Sequence, residues 1–301
     1  MRHLTPLKYI DIVAKAGSIR RAAESLAITS TALNRRILAL EEELGVPIFE
    51  RLPRGVRLST AGELLVQHIR GQVSETEKLK SQISDLMGVR RGHVSIACSQ
   101  ALLPYFLPEQ IATYRAEHPA VTFGVHLRDR AAAEQALFDH SADIALVFEP
   151  VRLSDVQVLA SFRQEVCAVM AADHPLAQKK TIRLRDCAEF PVGIPSSSYG
   201  VRNLIDIALV RSTAPLDIVV ESDSFEFLRR YPARERIVTF QIPIGLPTQD
   251  DEDEIVSRPV DLRDIPGGLL YLCQLRDRAL PVAAAKFANQ LESVLNARFS
   301  A

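Results

Sequence analysis

Residues 18–62 read SIRRAAESLAITSTALNRRILALEEELGVPIFERLPRGVRLSTAG, which predicts two short helices joined by a tight turn and followed by a basic hairpin. Ser18 follows Gly17 and suits the N-cap of the first helix. A second helix is expected to begin at Thr29 or Ser30, because apolar side chains then recur at helical spacing, at Leu33, Ile37, Leu40 and Leu44. This stripe must face a core, which leaves the opposite side of the helix free.

The free side of the second helix carries small, amide and guanidinium groups near its N-terminal end. These side chains belong to Ser30, Thr31, Asn34, Arg35 and Arg36. On a helix that is held by its other face, they suit contacts with base edges and phosphates in a DNA major groove. The segment from Ser18 to Glu43 therefore predicts a DNA-binding helix-turn-helix.

The basic hairpin that follows predicts a wing. Pro53-Arg54-Gly55 forms its tip, and the hairpin carries Arg51, Arg54 and Arg57. On its own such a segment could be an ordinary surface turn. Directly after a helix-turn-helix it is better explained as a wing that places Arg54 near a minor groove, where narrow A·T-rich tracts attract arginine.

Much of this N-terminal region resembles the signature of LysR-type transcriptional regulators. The matching residues are Leu7, Ala22, Ala23, Leu26, Leu40, Glu41, Leu44, Gly45, Phe49, Arg51, Leu58, Ala61 and Gly62. The chain departs from that signature at Ser30-Thr31, where the family usually has Gln-Pro, and at Asn34, where it usually has Ser. Because Asn34 can pair bidentately with an adenine edge, the preferred operator bases are expected to differ from the family's commonest choice.

The resemblance implies an α/β protein in three parts. A winged helix-turn-helix would occupy residues 1–59, a dimerisation linker helix 60–89, and a bilobal effector domain of periplasmic-binding-protein type 90–301. Lobe I of that domain would comprise 90–162 and 267–301, and lobe II 163–266. The resemblance also implies a homodimer or homotetramer on a pseudo-palindromic double-stranded operator, a small-molecule effector, and RNA polymerase as a further candidate partner.

Residues 60–87 favour one long helix, because the stretch holds no proline. Its apolar stripe keeps the spacing of a coiled coil, at Leu65, Ile69, Val73, Thr76, Leu79, Ile83 and Leu86. The stripe could pack on its own domain. No neighbouring apolar segment is evident to cover it, so a partner chain is the better explanation.

Strands and helices alternate in the part of the chain that follows. The first five are expected at His93–Cys98, Ala101–Glu117, Val121–Leu127, Ala131–Asp139 and Asp143–Phe148. This alternation predicts a parallel sheet with helical crossovers. The pattern restarts within residues 163–266 and ends with a strand and a helix at Gly268–Leu275 and Val282–Leu295.

A ligand in open α/β lobes lies beyond the carboxyl ends of strands and against helix N-termini. The residues expected there are Ser99, Gln100, Ala101, Phe148, Ser196, Ser197, Ser198, Tyr199 and Phe225. By resemblance, these residues line the cleft between the two lobes. The serine run could instead be a solvated helix-capping loop.

Arg128 stands at the end of a predicted strand, where the family tends to have small residues. Its guanidinium could bind an anionic effector bidentately, which suggests a small anion such as a carboxylate. It could equally form a surface ion pair with Asp129 or Glu134, and such pairs contribute little.

The charge of the chain is unevenly distributed. The net charge of 301 residues is −1, yet residues 1–92 carry +5 and the remainder −6. A basic N-terminal region followed by an acidic remainder fits a DNA-binding module joined to another domain.

The cysteines have no CxxC spacing and are expected to be reduced and mostly buried, at Cys98, Cys167, Cys187 and Cys273. No cofactor or metal site is predicted, since each histidine is isolated from other ligand types.

Three other functions compete with a ligand-responsive regulator. An enzyme would need a nucleophile such as Cys98 or Cys167, but no nucleophile elbow, P-loop, dinucleotide fingerprint or HExxH is present. A solute-binding protein for uptake would need an export signal, which MRHLTPLKYIDIV lacks. A purely architectural DNA-binding protein is disfavoured because it would give the predicted bilobal domain no function. With no membrane span evident, a cytoplasmic, non-enzymatic regulator is expected.

Overall fold

The computed structural model describes residues 5–86, 91–151, 156–211, 215–247 and 254–299, so the end of the predicted linker, 87–89, lies outside the described residues. The chain divides into two compact units, Met1–Lys80 and Ser81–Ala301, each with its own hydrophobic core. Within the described ranges, no helix combines the length and the apolar composition that crossing a bilayer requires.

The first unit holds the predicted helix-turn-helix and hairpin. Its elements are α1 (Thr5–Ala16), α2 (Ile19–Ser25), α3 (Ser30–Leu44), β1 (Phe49–Leu52), β2 (Gly55–Leu58) and most of α4 (Thr60–Leu86), whose last turns belong to the second unit. The predicted N-cap Ser18 is confirmed, since its side chain accepts a hydrogen bond from the Arg21 N–H. Helix α3 begins at Ser30, one of the two expected starts, and the Thr29 side chain caps it by accepting from the Ala32 N–H. Gly45 ends α3 with a φ of 69°, a left-handed conformation that favours glycine. The strands β1 and β2 pair antiparallel and form the hairpin.

The apolar stripe of α3 is buried for most of its length. Leu33 and Ile37 are 0% and 2% exposed, and Leu40 is half-buried. The expectation for Leu44 is wrong, because its side chain is 45% exposed. A straight helix drifts away from a fixed apolar stripe along its length, and α3 ends at this residue.

Helix α4 corrects the expectation that no apolar segment covers its stripe. Ile69 is buried, and Leu65 and Val73 are half-buried, in the core to which α1 also contributes. Leu79 and Ile83 remain 45% and 47% exposed. The first half of the stripe therefore packs on its own unit, and the exposed second half is what remains for a partner chain.

The second unit alternates strands and helices as predicted, with additional strands. Its elements are β3 (Gly92–Cys98), α5 (Phe106–Glu117), β4 (Val121–Leu127), α6 (Arg130–Phe138), β5 (Ile144–Phe148), β6 (Val156–Gln164), β7 (Cys167–Ala171), α7 (Leu184–Cys187), β8 (Pro191–Pro195), α8 (Gly200–Arg211), β9 (Asp217–Ser222), α9 (Phe225–Arg230), β10 (Thr239–Gln241), β11 (Ile255–Pro259), β12 (Gly268–Leu275) and α10 (Val282–Phe299).

The strands form one large sheet and two smaller ones. The large sheet has the order β4-β3-β5-β12-β6; β3 runs parallel to β4 and β5, whereas β12 is antiparallel to β5 and β6. The segment between β6 and β12 forms the sheets β10-β7-β11 and β8-β9. We call the part around the large sheet lobe I and the part around the smaller sheets lobe II. The exact limits of 90–162, 163–266 and 267–301 stay predictions.

Two details of the second unit differ from expectation. The helix expected at Ala101–Glu117 begins only at Phe106, after a 3₁₀ turn at Gln100–Leu102. Pro104 lies between the two and has no N–H with which to continue helical hydrogen bonding. Strand β8 escaped prediction because a proline stands at each of its ends, and proline argues against a strand assignment.

All four cysteines carry free, buried thiols, and their predicted burial is confirmed. Burial raises the pKa of each thiol to about 12, and the negative charge of Glu165 adds to the effect at Cys167. At neutral pH these thiols are protonated, and a protonated thiol is a poor nucleophile.

Glu41 joins α3 to the hairpin. Its Oε1 atom accepts hydrogen bonds from the backbone N–H groups of Ile48, at 2.7 Å, and Phe49, at 3.1 Å.

We expect E41A to lower the free energy of unfolding of the first unit by about 1–3 kcal/mol, since two backbone donors lose their acceptor. Urea unfolding followed by circular dichroism measures the change. E42A is the matched control because Glu42 is exposed; equal effects of the two substitutions would contradict this role.

Thiol labelling tests the burial of the cysteines. Because their pKa values lie at about 12, we expect almost no reaction of the native protein with dithiobis(nitrobenzoate) at pH 8, whereas all four thiols react in guanidinium chloride. Absorbance of the released thionitrobenzoate gives the count. Rapid release of one equivalent from the native protein would show that a thiol is accessible and ionised.

Candidate functional site

The outer face of α3 presents the side chains predicted to contact DNA. Ser30, Thr31, Arg35 and Arg36 are exposed and Asn34 is half-buried. Leu33 and Ile37 hold the opposite face in the core. A helix that is anchored on one side and polar on the other can enter a major groove as a rigid element.

Two contacts orient the polar face. The guanidinium of Arg36 lies 4.8 Å from the ring centroid of Tyr9, within the range of a cation–π contact. Arg51 Nη2 donates to Asn34 Oδ1 at 3.3 Å, which links the hairpin to α3. An amide oxygen has two lone pairs, so Asn34 can keep this bond and still accept from an adenine amino group.

The arginines of this surface differ in whether they form ion pairs with other residues of the chain. Arg57 Nε lies 2.6 Å from Glu50 Oε2 across the hairpin. Arg35 and the turn residue Arg54 are exposed and form no ion pair with any described residue. These two guanidinium groups are therefore the ones that can turn to phosphate or a base without breaking an internal contact.

A cavity lies between the two lobes of the second unit. It has a volume of about 10 Å³, which leaves room for about one water molecule. Six of the ten residues predicted to contact an effector line it: Ser99, Ala101, Arg128, Phe148, Tyr199 and Phe225. The lobes are thus closed on each other at the place where an effector was expected.

The contacts across this cavity explain the closure. Gln100 Oε1 accepts a hydrogen bond from the backbone N–H of Phe225, so this predicted residue bridges the lobes. Within lobe II, the rings of Tyr199 and Phe225 pack edge to face, 5.0 Å apart, and so form one wall of the cavity. A side chain at Gly200 would place its Cβ 2.7 Å from the Phe148 carbonyl oxygen, so glycine permits this close approach of α8 to β5.

The hydroxyl group of Tyr199 has a partner within the chain. It donates to the backbone oxygen of Asp223 at 3.1 Å. Burial raises the pKa of this phenol, and the negative charges of Asp223 and Asp129 act in the same direction. Tyr199 therefore offers an aromatic face to the cavity and keeps its proton at neutral pH.

Three of the four predicted serines, those at positions 196–198, do not line the cavity. Ser196 is half-buried and donates its backbone N–H to the Ser222 carbonyl, whereas Ser197 and Ser198 are exposed. None of the three lines the cavity. The structure thus places them on the approach to α8, and their role as effector contacts stays a prediction.

Arg128 forms no ion pair with a described residue. Its Nη1 donates to the Leu127 carbonyl at 2.8 Å. The two acids considered as its partners are engaged elsewhere, since Asp129 accepts from the Ala132 N–H and Glu134 from the Val151 N–H. Arg128 therefore does not form the surface ion pair with Asp129 or Glu134 that was the alternative to ligand binding.

Sequence reasoning missed Arg130, which also lines the cavity. The expected helix began at Ala131, but Asp129 is the N-cap and Arg130 the first residue of α6. An aspartate that follows a strand is a recognisable N-cap, and this signal could have placed the side chain at the cavity. Within the described residues, no group of three or more histidine, cysteine or acidic side chains could hold a metal ion.

Two known protein families match this chain, one in its N-terminal part and one in the remainder. Residues 4–63 match the family described as bacterial regulatory helix-turn-helix protein, lysR family, and residues 88–296 match the LysR substrate binding domain. The HTH-type transcriptional regulator CysB of Burkholderia cenocepacia is 27% identical over 265 residues, which cover 87% of this chain and 82% of that protein.

Two solved structures share the fold. A full-length OxyR variant from Pseudomonas aeruginosa superposes with a TM-score of 0.73 at 21% identity, covering 97% of this chain and 94% of that one. Full-length CbnR, solved in a complex with its target DNA, gives a TM-score of 0.55 at 18% identity, covering 97% and 99%. The substrate-binding match alone spans more than half of the sequence. The chain belongs to the LysR family of transcriptional regulators.

Proposed function

We propose that this chain binds a DNA operator through α3 and the hairpin, and that a small molecule held between its lobes controls this binding. The observation that carries the proposal is the division of α3 into two faces. Leu33 and Ile37 are fully buried, while amide, hydroxyl and guanidinium groups occupy the outer side. The complex of CbnR with its target DNA supports a DNA partner for a chain of this fold.

Within this interface the side chains have different roles. Asn34 and Arg35 stand along α3, where base edges are read, and suit adenine and guanine respectively. Ser30, Thr31 and Arg36 would contact the backbone or neighbouring bases. Arg51, Arg54 and Arg57 would bind phosphates or a minor groove beside the hairpin.

We infer that the regulator works as a homodimer or homotetramer. Leu79 and Ile83 leave an apolar stretch of α4 exposed, which a second copy of the helix would cover. Two symmetric copies of α3 would then bind the two half-sites of a pseudo-palindrome. Effector binding between the lobes would favour one state of this assembly over another, and the difference in effector affinity sets the size of the response.

A regulatory rather than an enzymatic role is the simpler proposal. The family consists of transcriptional regulators, and burial keeps Cys98 and Cys167, the thiols that could have served as nucleophiles, protonated. Action on DNA places the chain in the cytoplasm of a bacterial cell.

Arg35 offers the sharpest test of the DNA interface. The DNA is a genomic fragment that the wild-type protein enriches. We expect R35A to weaken binding to this fragment, because the guanidinium reads a base, and the loss in binding free energy should be about 1–3 kcal/mol. Fluorescence anisotropy at fixed salt measures the dissociation constant. R115A is the control, because Arg115 is an exposed arginine of the second unit. Undiminished affinity of R35A would remove Arg35 from the interface.

A further inference from the structure

The cavity between the lobes carries an excess of positive charge. Its lining includes two cationic side chains, Arg128 and Arg130, and one carboxylate, Asp129. Asp129 is committed to capping α6, since its Oδ1 accepts from the Ala132 N–H at 2.8 Å. The carboxylate forms no ion pair with either arginine, so the cavity keeps a net charge of about +1.

Arg130 is the unusual member of this set. Its Nε atom is buried and has no hydrogen-bond partner among the described residues. The rest of its guanidinium likewise forms no hydrogen bond or ion pair with the part of the chain that the structure describes. A buried donor of a charged group that stays unpaired is costly, and proteins retain such groups where something else satisfies them.

Two other donors near the cavity are already used. The Phe225 N–H donates to Gln100 and the Tyr199 hydroxyl to the Asp223 carbonyl. Arg128 uses one nitrogen on the Leu127 carbonyl, which leaves the other donors of its exposed guanidinium free of described partners. The charged donors open to a ligand are therefore the two guanidinium groups, which match the planar geometry of a carboxylate, and the Ser99 hydroxyl beside them is a neutral donor.

The remaining walls favour a ligand with an apolar body and a negative charge. Phe148, Tyr199 and Phe225 contribute aromatic surface, which suits an apolar body. The N-terminus of the twelve-residue helix α8 also reaches the cavity at Gly200 and Val201, and a helix N-terminus favours negative charge. A net charge near +1 matches a singly charged anion better than a dianion.

We propose that the effector is a small monocarboxylate with an apolar body and that Arg130, assisted by Arg128, binds its carboxylate group. The inference rests on the proposed function, because it names the ligand class of the same cavity. Since the closed cavity holds about one water molecule, the lobes separate to admit the ligand and close again on it.

Thermal unfolding of the full-length protein tests the proposal with carboxylate fragments. Formate, acetate and benzoate are each titrated at constant ionic strength against their neutral isosteres formamide, acetamide and benzamide. We expect at least one carboxylate to raise the unfolding midpoint in a saturable way and the amides to leave it unchanged. R130M should weaken the apparent affinity at least about tenfold, and R130K should retain part of it.

Controls separate this result from a general loss of structure. R115M should respond to the carboxylates as the wild type does. R130M should keep the wild-type circular dichroism spectrum and affinity for operator DNA, and R128M provides a second variant at the same site. Failure of the wild type to bind any DNA would overturn the proposed function and leave the carboxylate result unaffected.

Four outcomes would overturn the carboxylate proposal. The midpoint could stay constant with every carboxylate, or rise equally with carboxylates and amides. R130M and R128M could respond as the wild type does. Inorganic phosphate could outperform every carboxylate at equal ionic strength, which would assign the cavity to a different anion.

Discussion

The structure of the first unit depends on the burial of one face of α3. Leu33 and Ile37 fix the rotation of this helix, and Glu41 ties its last turns to the start of the hairpin through the Ile48 and Phe49 N–H groups. With rotation and position fixed, the polar side of α3 and the basic hairpin face the same solvent region, where Arg51 bonds to Asn34. Rigid placement of this kind lets a few side chains read bases without first being ordered.

Local signals explain why so much of the N-terminal unit could be predicted. Ser18 and Thr29 act through their nearest neighbours in sequence, and they stand where the two helices were expected to begin. The exposure of Leu44 and the partial burial of α4 escaped prediction because both depend on packing. The sequence shows an apolar stripe on α4, but only the folded unit shows that the first half of this stripe packs in the same core as α1.

The effector domain was predictable in outline for the same reason. Alternating strands and helices indicated the parallel pairing of β3 with β4 and β5, whereas the antiparallel return of β12 is a long-range pairing that no local pattern encodes. At the cavity, strand ends pointed to Ser99, Phe148 and Arg128. Arg130 was not predicted as a cavity residue because the helix was expected to begin one residue later, at Ala131. Helix boundaries are where sequence-based assignments are weakest.

In the proposed complex, the outer face of α3 lies in the major groove of duplex DNA. Because the four native thiols are buried, a cysteine introduced as Thr31→Cys can be labelled selectively with an iron chelate that cleaves nearby DNA. We expect cleavage confined to two symmetry-related positions of the bound fragment, about one helical turn or more apart. Cleavage spread evenly along the fragment, or none in a complex that still forms, would contradict it.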